Sequence, residues 1–275
     1  MNAPATRRTF LRNSCVGSLA VITAGQWGNA ARSQVADDTI LGASGVKSAE
    51  RPNKIWQPVS ERKIRVGIAG YGVCQFGAVF GFQDHPNVTV AAVSDLIPER
   101  CKALAQACRC EKTYPSLEEM IEDDSLEAVY VATDAPNHAK HSIAALKRGK
   151  HVASAVPAVL GSLDDAHQLY EAVKASGRKY MMFETSAFRA DCHAMRQVYR
   201  TGGFGKLIYS EGEYYHYMPQ PIPSFRDWRV GLPPQWYPTH ANAYYICVTG
   251  GCFTEVSCLG NVSTIALWDC TSGIN

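Results

Sequence analysis

Six apolar-leaning residues, Ile64 to Ala69, run straight into Gly70-Tyr71-Gly72. A strand that stops on two glycines and then enters a helical stretch has few uses. The first glycine permits a tight strand-to-helix turn, and the second lets backbone amides come close to a pyrophosphate at the helix start, where the dipole favours negative charge. Asp95 closes the next apolar run, 20 residues after Gln75, where a carboxylate can reach a ribose 2′-hydroxyl. The same carboxylate would repel a 2′-phosphate, so the expected cofactor is NAD rather than NADP. Glycines that merely turn the chain would not need an acid in that register. Gln75 stands at the third glycine position of the fingerprint, which predicts looser packing of helix on sheet at that point.

The rest of this stretch repeats the alternation. Apolar runs at 64–69, 88–94, 127–133, 151–155 and 179–183 read as strands, with a weaker one near Lys112-Tyr114. Between them the helix signals are legible. Ser116 with Glu119 and Ser162 with Asp165 form capping boxes, and Pro98 suits a first helical turn. Gly149 and Gly177 supply left-handed stops. In the helix after Ser162, positions 163, 166, 170 and 173 are expected to share the buried face. Strands alternating with helices predict an α/β fold, a Rossmann-type doubly wound parallel sheet. Beyond Phe188 the texture changes to helix (189–201), a long strand "LIYSEGEYYHY", a Pro-rich loop (218–238), a helix (239–249) and a strand (253–258). That order predicts a partial α+β domain with an open sheet. The expected organisation is a signal peptide at 1–30, a linker or arm at 31–62, the nucleotide-binding domain at 63–187 and a substrate domain at 188–275.

The amino terminus carries Arg7 and Arg8 with Arg12 close behind, then a mild apolar run from Cys15 to Ala24 and small residues at 28–30. Charge, apolar run and small residues come in the order of a secretory signal, and the paired arginine resembles the twin-arginine variety. The expectation is export to the periplasm in the folded state. Ten cysteines would suit an exported disulfide framework. However, the number left after Cys15 departs is odd, no Cys-x-x-Cys occurs, and several sit in apolar contexts, so few or no disulfides are expected. A formal net charge of +2 makes no electrostatic case for nucleic acid, and no apolar run is long enough to span a bilayer. His138-x-x-His141 and Glu213-x-x-His216 each lack a third ligand in register, so no metal is expected.

"KIRVGIAGYG", "AVSD", "VATDAPNHAKHSIAALKRGKHV" and "GGFGKLIYSEGEYYH" together resemble the glucose–fructose oxidoreductase / inositol dehydrogenase / MocA (Gfo/Idh/MocA) family. The resemblance implies a Rossmann domain followed by an α+β domain whose open sheet often makes oligomer contacts, and hence a homo-oligomer. It places Thr133, Asn137 and His138 at the nicotinamide half of the cofactor, with Ala155 and Val156 in the same wall. Many members carry Glu-Lys-Pro after the fifth strand, with the lysine catalytic. Here Pro157 is kept, while Ala155 and Val156 stand where Glu and Lys would be. Trp236 likewise replaces an Asp four residues before His240. The segment Tyr237-Pro238-Thr239-His240 is similar to that of the family's NAD-dependent glycoside hydrolase branch, of the α-N-acetylgalactosaminidase type. The likeness implies that Tyr237 and His240 face the sugar as acid–base groups. Trp228 and Arg229, in the Pro-rich loop before them, suit a stacked sugar ring. A plain core histidine at the start of a helix is the bland alternative.

Three classes of function follow from these residues. The first is an NAD-dependent oxidoreductase acting on a carbohydrate, with a tightly held and recycled cofactor. The second is glycoside hydrolysis by oxidation, elimination, hydration and reduction. The third is a non-catalytic sugar- or nucleotide-binding module. Outside the cytoplasm no NAD pool exists for exchange, which favours reactions that return the hydride within each turnover.

Overall fold

The computed structural model describes residues 57–214 and 222–260. Six parallel strands make one sheet: β1 (Ile64–Ala69), β2 (Val88–Ser94), β3 (Thr113–Tyr114), β4 (Ala128–Val131), β5 (His151–Ser154) and β6 (Tyr180–Met182). Their order is β3-β2-β1-β4-β5-β6. The chain therefore reverses direction across the sheet between β1 and β4, and a crevice opens beyond the carboxyl ends of those two strands. The helices are α1 (Phe76–Val79), α2 (Pro98–Cys108), α3 (Leu117–Met120), α4 (His138–Lys147), α5 (Leu163–Ser176), α6 (Ala190–Arg200) and α7 (Thr239–Thr249). Among the described residues no helix is long and apolar enough to cross a membrane.

Side-chain alternation along the strands feeds two cores, one on each face of the sheet. Val129 and Val131 of β4 join Met120, Leu126, Leu146 and Leu169 on one face. Tyr130 between them points the other way, into Ile68, Val93, Leu104 and Cys108. On that second face Phe80, Phe82 and Phe183 gather round Tyr130, with Phe80 edge-on at 5.8 Å and Phe82 stacked on Phe183 at 5.6 Å. Helix starts follow the sequence signals. Ser116 Oγ accepts from the amide of Glu119 and Ser162 Oγ from that of Asp165, and Pro98 occupies the first turn of α2.

Three local expectations are corrected. Of the expected face of α5, Leu163 and Tyr170 are exposed, while Val173 packs as expected together with Leu169 and Ala172. The ammonium of Lys174 covers the Tyr170 ring at 5.0 Å, which is how a large aromatic is tolerated there. The predicted strands at 207–217 and 253–258 are not formed over their described parts: 206–214 and 251–260 run without ladder partners. The rest of the first strand, 215–217, lies outside the described residues, as do the signal segment, most of the expected arm, and His216. The third correction is at the glycine motif, described below. The two carboxy-terminal helices do form as the sequence predicts, and the guanidinium of Arg196 on α6 ties them, donating to the carbonyl of Cys247 on α7 at 2.6 Å. All eight cysteines among the described residues are free thiols.

Candidate functional site

The two glycines after β1 do different things. Gly70 has φ +103°, and a Cβ there would lie 2.2 Å from the carbonyl oxygen of Ala132. Only glycine lets β1 turn while pressed against the end of β4. At Gly72 a Cβ would meet nothing within 4 Å, so its bareness serves no protein contact and leaves the loop open to a ligand. Gln75 takes the third position in a left-handed conformation, φ 51°. The looseness expected there is absent because Gly77, two residues on, supplies the close approach. A Cβ on it would meet the Gly70 carbonyl oxygen at 2.5 Å and Leu104 Cδ1 at 2.9 Å. The helix that follows the loop, α1, is a single turn, so the loop's amides rather than a long helix dipole would meet an anion.

Asp95 sits at the tip of β2, half-buried, and its carboxylate fastens this loop. Its Oδ2 accepts from the amide of Tyr71 at 2.7 Å and its Oδ1 from that of Ile97 at 2.9 Å. Each oxygen keeps a further lone pair for a ribose hydroxyl. From here a cavity of about 330 Å³ runs along the carboxyl ends of the strands, past Thr133, Asn137 and His138 after β4 and past Ala155 and Val156 after β5. It ends against the loop carrying Trp228 and Arg229. The sequence-predicted cofactor residues and the two loop residues therefore share one concavity.

Their hydrogen bonds show how the wall is braced. Thr133 Oγ1 lies 2.8 Å from Nδ1 of His141, and Asn137 Nδ2 donates to Asp134 Oδ2 at 2.7 Å. His138 is buried between two backbone carbonyls, those of Pro157 at 2.7 Å and Thr133 at 2.9 Å. Burial lowers its pKa, although both carbonyls oppose the shift. A neutral ring has one N–H, so it donates to one of the two at a time while pinning the β4 loop to the β5 loop. At the far end the Arg229 guanidinium lies 4.3 Å over the Trp228 ring, and Arg226 and Asp227 both have φ 52°. Backbone held in that region by non-glycine residues stores strain, of a kind that gathers at ligand sites.

Tyr237 and His240 are not among the residues that line this cavity. His240, in the first turn of α7, is 7% exposed. Its Nδ1 lies 2.6 Å from Oε1 of Glu184, and its Nε2 lies 3.4 Å from the Tyr237 hydroxyl. The ring also packs on Tyr214, centroids 4.4 Å apart. Tyr237 remains electrostatically close to the cavity, since Arg229 and Cys74 of the wall both act on its phenol. Burial, the largest influence, pushes that phenol far above its ordinary pKa. Glu184 was not among the residues that the sequence singled out. The signal it offered was one acid directly after a very apolar run, "YMMFE", at the carboxyl end of β6, where sheets of this kind place their chemistry. Glu213, on the segment expected as a strand, lines a separate shallow concavity with Glu211 and Asp191. Among the described residues no group of three potential metal ligands occurs.

An open glycine loop, a strand-end carboxylate bonded to that loop, and a cavity across the reversal point of the sheet together suit a dinucleotide. Residues 64–184 match the family described as an oxidoreductase family with an NAD-binding Rossmann fold, GFO_IDH_MocA. The chain is 29% identical over 177 residues to Glycosyl hydrolase family 109 protein 1 of Bacteroides fragilis, a match covering 61% of this chain and 38% of that protein. It is 25% identical over 254 residues to a Glycosyl hydrolase family 109 protein of Shewanella amazonensis, covering 85% and 53%. The chain thus spans from 38% to 53% of the length of these two curated relatives. Among solved structures it is similar to scyllo-inositol dehydrogenase from Lactobacillus casei with bound NAD(H) and scyllo-inositol, with TM-score 0.49 and 18% identity over 52% of this chain and 43% of that one. Residues 64–184 thus carry a likeness to the Gfo/Idh/MocA oxidoreductase family and to its NAD-binding Rossmann fold.

Proposed function

We propose that this protein uses NAD to oxidise a hydroxyl of a carbohydrate and returns the hydride within the same turnover. The observation that carries this reading is the pairing of an NAD-type cradle, open at Gly72 and closed by Asp95, with a cavity that ends on the stacked Trp228–Arg229 pair. When bound, NAD supplies a hydride acceptor. The chain must supply the rest: Asp95 to hold the ribose, Thr133 and Asn137 to line the far half, and a group to take the hydroxyl proton. The lysine of the family triplet is not there for that work, because Val156 occupies its place. His240 with Tyr237 is the acid–base pair we assign. The Tyr237 hydroxyl lies 3.4 Å from Nε2 of His240, so the two residues are already within reach of each other.

Glycoside hydrolysis through a transient oxidation is the second reading. It is favoured by the curated relatives, which are named for a glycosyl hydrolase family, and by the Tyr-Pro-Thr-His segment. Both readings suit folded export to the periplasm behind the paired arginines, where a protein must carry its NAD with it. One experiment tests and separates them. Purified protein is mixed with p-nitrophenyl glycosides or with free sugars, and aglycone release is followed beside reduced-cofactor absorbance. Aglycone release without net reduction supports the hydrolase, and stoichiometric reduction by a free sugar supports the oxidoreductase. Protein that holds NAD yet does neither would overturn both in favour of a binding module. In either active case His240→Ala should cost about 10²–10⁴ in rate with NAD occupancy intact, and Tyr237→Phe should cost less.

A further inference from the structure

We propose that Glu184 is the positioning residue for His240: its carboxylate fixes the imidazole with the proton on Nδ1 and the Nε2 lone pair turned to the Tyr237 hydroxyl. The inference rests on the assignment of His240 above and adds a residue which that assignment does not contain. The side chains of Glu184 and His240 are 7% and 8% exposed, so their 2.6 Å contact is shielded from water. Glu184 is itself held in place, because Oε1 also accepts the amide of Ser186 at 2.8 Å. The contact joins the end of β6 to the start of α7, 56 residues apart in the chain. A buried carboxylate would ordinarily resist ionising. Here burial is outweighed by the bonds from His240 and Ser186, and the carboxyl lies below its usual range.

An acceptor-only carboxylate on one ring nitrogen dictates the tautomer. Nδ1–H donates to Glu184, leaving Nε2 as the acceptor. On the other side Tyr237 keeps its proton, its pKa having been raised by burial, and is therefore the donor. When bound, NAD would supply the acceptor for the substrate's hydride, and the substrate's O–H proton would pass to the Tyr237 oxygen. The proton of Tyr237 moves to Nε2 in the same step. The charge that appears on the ring then faces Glu184. This is the division of labour by which a carboxylate orients and supports a histidine base.

Glu184→Gln tests the charge with little change of shape. The amide oxygen can retain both bonds at Oε1, and among the described residues Oε2 has no hydrogen-bond partner to lose. The expected result, with p-nitrophenyl glycosides and free sugars as probes, is a loss of about 10²-fold in single-turnover reduction of bound NAD, with NAD stoichiometry and KM unchanged. Ring-nitrogen NMR of the wild-type protein, which needs neither turnover nor a variant that folds, should show His240 protonated at Nδ1 and bare at Nε2. A Glu184→Gln rate within about twofold of wild type, beside an inactive His240→Ala, would overturn the proposal and leave the assignment of His240 standing. A wild-type spectrum with the proton on Nε2 would also overturn it. His240→Ala at the wild-type rate would instead overturn the assignment beneath it.

Discussion

The sheet and the carboxy-terminal segments are built by different physics. In the sheet every strand between Ile64 and Met182 has a partner, and its side chains sink into one of two cores. After Arg200 two elements hold, α7 and the turns before it, while 206–214 and 251–260 pass over the surface with Ile208 90% and Leu259 97% exposed. Beside apolar packing such as that of Ala243, two long-range polar contacts tie the second region down: Arg196 of α6 against α7, and Glu184 at the end of β6 against His240. A core tolerates many sequences of the right pattern, whereas a few buried polar bonds fail singly. Changes to tightly packed positions of the first region should therefore cost stability, and changes to the polar contacts of the second should cost function first.

Gly70→Ala is the largest break. The new methyl would lie 2.2 Å from backbone, at φ +103°, and neither β1 nor β4 can move without tearing the sheet. A loss of about 4 kcal/mol or more is expected, read as insoluble protein or a collapsed unfolding midpoint. Gly72→Val, two residues away, should do the opposite. With nothing within 4 Å it should leave stability within about 1 kcal/mol and empty the nucleotide site. Retention of stoichiometric NAD by Gly72→Val after gel filtration would refute the assignment of that loop.

Acid sharpens the contrast further. The folded-state carboxyl of Glu184 lies below its ordinary value, so the ionised form favours the folded state. Its contribution is complete above the unfolded carboxylate pKa and is lost as pH falls through the lower, folded one. The groups facing it are His240, the Ser186 amide and, through the ring packing, Tyr214 and Tyr237. Below the usual carboxylate range α7 should loosen from the end of β6 before the sheet unfolds. Hydrogen exchange along 239–249 should report it, and Glu184→Gln should remove most of that pH dependence.

The same contrast explains what could be read from residues alone. Strands β1 and β2 match their apolar runs end to end, and the caps at Ser116 and Ser162 form as their spacing requires, because these signals are local. NAD was legible because Gly70, Gly72 and Asp95 act within one βαβ unit. Glu184 was not, since its meaning depends on a histidine 56 residues on. Gly77 was missed because its reason, the carbonyl of Gly70 and the side chain of Leu104, lies across a tertiary contact. The segment "LIYSEG" has strand composition, yet propensity without a neighbouring strand makes no ladder.

That last point carries the smallest predicted effect. Ile208 and Leu104 are both branched aliphatic residues of one size, but Leu104 is fully buried between α2 and the sheet, while Ile208 is 90% exposed. Burial rather than chemistry should set what each is worth. Leu104→Ala should cost about 2–5 kcal/mol, the transfer of lost methyls plus the cavity left behind. Ile208→Ala removes little buried area and should stay within about 0.5 kcal/mol. Urea unfolding of the two variants at equal concentration measures both. A loss at Ile208 approaching that at Leu104 would mean that 206–214 packs against something in solution, and the line drawn between the two regions would have to move.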